Sequence, residues 1–101
     1  MPKLYEYFGL VVMFYSNEHA PVHVHGLFQD RATRAEFVIE NGRVAAIRYR
    51  AVKGRRPLTP ARLADFRAVV EDQADDIVRK WVDFFVLHKA VKPETIMRRL
   101  R

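Results

Sequence analysis

Three of the four histidines in this chain fall within seven residues, in the stretch Glu18-His19-Ala20-Pro21-Val22-His23-Val24-His25. The residues from Val22 to Phe28 alternate, so on a strand the His23 and His25 imidazoles project side by side from one face with Leu27, while Val22, Val24 and Phe28 take the other. Imidazoles so arranged can ligate one divalent ion, zinc or a similar metal. His19, in the loop before the strand and fixed in direction by Pro21, could swing over the same patch and leave a position open for water; Glu18 and His88 are candidates for a further ligand. A zinc-bound water would be a nucleophile near neutral pH, with Glu18 as base, and would make the domain a phosphate-ester hydrolase. The competing reading makes His23 and His25 polar residues on the half-exposed face of a sheet, hydrogen-bonded to neighbours such as Glu18 or Glu36. No Ser or Thr nucleophile stands at a recognisable spacing from them, and no Gly-rich loop offers to cradle a nucleotide, so no catalytic residue is assigned.

Charge supplies the second constellation. The net charge of +6 is concentrated between Arg43 and Arg67, where eight basic residues meet a single acid, Asp65, whereas Glu71 to Asp76 holds four acids and no base. The domain should therefore be dipolar. Arg48, Arg50, Lys53, Arg55 and Arg56 flank a proline-bounded loop from which long cationic side chains could reach phosphates, with affinity supplied by counterion release. The expected function is a basic binding module that engages DNA or RNA, a small acidic partner protein, or both. No helix-turn-helix glycine turn or aromatic stacking signature accompanies the patch, so this is a reading of charge and not of groove geometry.

Positioning these groups requires a sheet followed by helices. The absence of cysteine removes disulfides, thiolate metal sites and cysteine nucleophiles at once, and half of the 101 residues are apolar, enough to bury a core. One α+β domain is expected over residues 1–101. Gly9 to Tyr15 is an apolar run rich in β-branched and aromatic residues and reads as a buried central strand. Val22 to Phe28 is the second strand. Ala35, Phe37 and Ile39 share a face of the third, opposite Arg34, Glu36 and Glu40. Asn41-Gly42 then signals a tight hairpin, and Ala45, Ile47 and Tyr49 continue the buried face on a fourth strand. This predicts a four-stranded, largely antiparallel sheet over residues 9–50, with two C-terminal helices packed on one face over residues 60–88. Thr59 caps the first helix ahead of Pro60, and Asp75 caps the second. Trp81 to Leu87 is apolar nearly all round, which makes it the most buried element or a homodimer contact through Trp81, Phe84 and Phe85. Residues 89–101 form a basic tail in which Pro93 opens at most a short helix. No apolar stretch is long enough to span a membrane and no secretory signal is readable, so the expected location is the cytoplasm.

An apolar strand with Phe-Tyr, then an acid, His19, Pro21, His23 and His25, then a basic stretch with proline and a Trp-bearing helix pair, resembles a small bacterial family of unknown function. That family carries an Asp/Glu-His-x-Pro-Pro-His-x-His signature. The likeness spans most of residues 2–86, with Gly9, Glu18-His19, Pro21, His23, His25 and Trp81 as its points; Val22 stands where the second proline is usual and Val24 where Phe is usual. The resemblance implies a toxin–antitoxin-like gene pair, hence a small partner protein encoded nearby and operator DNA, and it carries no catalytic residue to transfer.

Overall fold

The computed structural model describes residues 2–14 and 22–101. The chain is α+β; the described residues form six strands in one sheet, with the helices following the fifth strand. In chain order the strands are β1 Lys3–Tyr7, β2 Leu10–Met13, β3 His23–Phe28, β4 Arg31–Glu40, β5 Arg43–Ala51 and β6 Glu94–Ile96. Their spatial order is β5-β4-β3-β2-β1-β6. Neighbours are antiparallel except β1 and β6, which run parallel.

The expected four strands over 9–50 are present, and two more correct that count. β1 escapes sequence reading because the two residues joining it to β2 are Phe8 and Gly9, and Phe8 adopts φ +47°, a conformation aromatic residues rarely hold. β6 lies in the tail, where a short helix was expected. A strand of three residues pairing in parallel with one some ninety positions earlier leaves no local signature.

One face of the sheet packs on the helices. Tyr5, Tyr7, Leu10, Val12, Phe14, Val24, Ala35 and Phe37 are buried there with Phe66, Val69, Val70 and Ile77 from the helical layer. Asn41 and Gly42 both have positive φ, as the hairpin reading required. A bulge between Val38 and Ile39 shifts the register, pairing Ile39 with Val44 but Val38 with Ala46. Ala45 is therefore the extra residue and is exposed, and Val44 takes the inward place assigned to it, beside Ile47 and Tyr49.

The first helix, α1, spans Pro60–Asp72. Thr59 caps it, its hydroxyl accepting from the Arg62 amide at 3.4 Å, and Pro60 fills the first turn. A second helix, α2, spans Ala74–Trp81 after a one-residue break at Gln73. Gln73, and not Asp75, occupies the cap position of α2; Asp75 and Asp76 lie in its first turn, where the helix dipole favours acids. Val82–Val86 then continues as a wider turn in which the Leu87 amide donates to the Val82 carbonyl. This segment is not the most buried element. Val82, Val86 and Leu87 are exposed, because Trp81, Phe84 and Phe85 stack on one another and on Phe14 and leave the opposite side uncovered. Among the described residues no helix is long and apolar enough to cross a membrane.

Polar contacts tie the tail to the rest. The Lys80 ammonium donates to Glu94 of β6 and approaches Asp76 at 3.0 Å, while the Tyr5 hydroxyl and the Arg79 guanidinium also donate to Asp76. Partial burial pushes the Asp76 carboxyl up, but hydrogen bonds from Tyr5, Lys80 and Arg79 outweigh it and leave the pKa below the ordinary 3.8. Burial and the same hydrogen bond push the Tyr5 phenol well above its ordinary range, and burial does the same to Tyr49 beside Glu71. Asp76 thus stabilises the fold above pH 3.8, and that contribution drains away as pH falls through its lowered folded value. The two tyrosines, with raised folded values, contribute fully below pH 10 and lose their contribution as pH rises beyond it. Thermal melts against pH should show both limbs, and Asp76→Asn should flatten the acid limb; an unchanged acid limb would detach Asp76 from acid stability.

Candidate functional site

The face of the sheet opposite the helices carries the histidines and much of the basic chemistry. Gly26 lies against the Phe66 ring of α1, so by strand alternation His25 and His23 turn to the other face. The register then sets two cross-strand rows. His23 stands opposite Glu36, which stands opposite Arg48; His25 stands opposite Arg34, which stands opposite Arg50. Directly opposed side chains on one face have Cβ atoms about 5 Å apart, so the six residues form one continuous patch.

Within it, Glu36 accepts from Arg34 at 2.6 Å and from Arg50 at 2.8 Å, its side chain only 16% exposed. One carboxylate between two guanidiniums of the adjacent row leaves this cluster positive. The His23 and His25 rings lie 5.4 Å apart, inclined at 69°. Both are buried, at 4% and 2% exposure, which corrects the expectation of a half-exposed face. β3 has a strand on each side, and long neighbouring side chains can cover what a central strand presents.

Of the metal candidates, Glu18 and His19 lie outside the described residues. His88 ends the helical segment at φ +56°, beside Phe84 and Phe85. Among the described residues no group of three His, Asp or Glu is placed to hold an ion. His23 and His25 are thus brought together as expected, and His88 does not join them.

Of the basic residues, Arg48 and Arg50 project from β5 on the histidine face, and Lys53, Arg55 and Arg56 follow in the turn beyond the strand. That turn is anchored through its backbone: the Arg55 amide donates to the Val52 carbonyl at 3.1 Å, and the Ala32 amide of β4 donates to the Arg56 carbonyl at 2.9 Å. The side chains stay exposed. Arg50 is engaged by Glu36, and Arg56 reaches Asp30 at 3.8 Å in a solvated pair worth little. Arg48, Lys53 and Arg55 have no ion pair among the described residues.

The acidic cluster is treated differently. Glu71 meets Arg67, Asp72 meets Arg98, and Asp76 meets Arg79 and Lys80. The dipole expected from sequence is blunted at its acidic end by local pairing, and the cationic end keeps the larger uncompensated share. Charge counting alone missed the Arg34–Glu36–Arg50 cluster. Alternation places Arg34 and Glu36 on the polar side of β4, but their meeting with Arg50 of β5 depends on the bulge.

No curated protein and no solved structure matches the chain. One family's sequence model does, over residues 9–82, a span that contains both histidine rows and the basic turn and leaves out β1 and β6. On that match the chain belongs to the family described as domain of unknown function DUF4160.

Proposed function

We propose that the domain is a nucleic-acid-binding accessory module that grips the phosphate backbone with Arg48, Arg50, Lys53, Arg55 and Arg56, working beside a small partner protein as in a toxin–antitoxin-like pair. The observation that carries the reading is the row Arg48, Lys53 and Arg55, exposed on one strand and its following turn and without an ion pair among the described residues, in a chain whose acidic cluster is largely paired. Long cations held on a backbone-anchored turn are suited to phosphates, which fix register without reading sequence.

The test is binding of short duplex DNA and RNA, followed by fluorescence anisotropy across a salt series. Affinity should fall steeply with salt, and each phosphate contact removed should lower the logarithmic slope by about one. Arg55→Ala with Arg56→Ala should therefore weaken binding and reduce the slope by about two while leaving the melting temperature in place, since the turn is held by backbone groups. Absence of binding to either duplex at low salt would end this reading.

The shared face of His23 and His25 supports a second reading, a divalent-metal site completed by His19 or Glu18, whose bound water would attack phosphate esters delivered by the basic residues. Tag-free protein should then contain about one metal per chain, lost in His23→Ala with His25→Ala, and chelator should lower the melting temperature. Substoichiometric metal with an unchanged melting temperature would leave the pair a structural one.

A further inference from the structure

Among the described residues β5 is the last strand on its side of the sheet, with β4 as its one neighbour, so a row of its backbone N–H and C=O groups faces outward. Its nine residues make a long edge, and it contains no proline to block pairing. The two lips of this edge differ in chemistry. On the helix side a groove of about 330 Å³ runs along it, lined by Val44 to Ile47 and Tyr49 of the strand with Arg67 and Glu71 of α1, which pair with each other at 3.6 Å. On the histidine side stand Arg48 and Arg50.

We infer that the outer edge of β5 receives an extended segment of a partner protein as an added strand, in which apolar and acidic residues alternate. Period-two alternation would lay the apolar side chains into the groove and set the carboxylates opposite Arg48 and Arg50, while the open backbone groups complete the ladder. A second copy fits poorly, because β5 against β5 brings two arginine-rich strands together and like charges across a pair are destabilising. Nucleic acid could engage the arginines, but it would neither extend the ladder nor fill the aliphatic floor of Val44 and Ile47. Arg48 and Arg50 also belong to the proposed phosphate grip, so a strand on this edge and a nucleic acid would compete for them, whereas the open ladder and the groove are used by the strand alone.

The experiment titrates the isotope-labelled full chain with a synthetic peptide alternating Val and Glu over about nine residues, and with its counterpart carrying Lys for Glu. The Val/Glu peptide should protect every second amide of β5 from exchange and bind at least tenfold more tightly than the Lys peptide. In Arg48→Glu with Arg50→Glu that preference should reverse. Three results would overturn the proposal: no binding, perturbations confined to residues 53–56 without alternate protection, or equal affinity for both peptides. Protection of the same amides by a duplex oligonucleotide, or by raising the protein concentration alone, would assign the edge to nucleic acid or to self-association and would equally remove the acidic strand.

Discussion

Gly26→Ala is expected to cost about 2–3 kcal/mol and to lower the melting temperature by roughly 10–20 °C. A Cβ at this position would stand 2.6 Å from Phe66 Cδ1 and 2.8 Å from its Cε1 and Cγ. Phe66 is fully buried, and its ring lies edge-on to Tyr49 at 5.8 Å, so it has little room to withdraw. The sign of the effect is diagnostic. In the absence of a clash, replacing a strand glycine with alanine stabilises by about 0.5–1 kcal/mol, because the unfolded chain loses freedom. The close approach must overcome that gain before any loss appears. Truncating the ring should relieve it: in a Phe66→Leu background, Gly26→Ala should cost less than about 1 kcal/mol, a coupling measurable by a double-mutant cycle in urea. Equal losses in the two backgrounds would show that Phe66 is not what excludes the side chain.

Removing both cations around Asp65 should destabilise the fold more than removing Asp65 itself. The carboxylate is 2% exposed and receives Arg62 at 3.0 Å and Arg101 at 2.8 Å; Arg101 also donates to the Ala61 carbonyl at 3.1 Å. The partners are much more open, with side chains 34% and 47% exposed. In Asp65→Ala the guanidiniums can turn to water, so the loss should be about 1–2 kcal/mol. In Arg62→Ala with Arg101→Ala a buried carboxylate is left with neither cation, and a loss of about 3 kcal/mol or more is expected. Some of that, about 0.5–1 kcal/mol, comes from the Arg62 guanidinium over the Phe28 ring at 4.2 Å, and Arg62→Ala alone measures it together with one ion pair. Urea midpoints at neutral pH would rank the variants. A larger loss in Asp65→Ala than in the double variant would contradict the asymmetry and locate the stabilisation in side-chain packing.

The sequence by itself determined those features whose causes are local. The apolar run before Ser16 makes a central strand, Asn41-Gly42 accepts the positive φ of a tight turn, and Thr59-Pro60 starts a helix because the Thr59 hydroxyl accepts from the Arg62 amide and Pro60 has no N–H to leave unpaired. The shared face of His23 and His25 follows from strand alternation in the same way. Tertiary structure decided what depends on register or on distant pairing. A bulge of one residue at Ala45 turns Arg48 to the histidine face; continued from the two-residue turn without it, the register would place Ile47 opposite Glu36 and bring Arg48 opposite Ala35, toward the helices. Burial of the two imidazoles, the pairing of β6 with β1, and the meeting of Arg101 with Asp65 across 36 positions likewise arise only when separate segments pack. Local propensity acts over a turn or a pleat, whereas these contacts depend on how the layers come together.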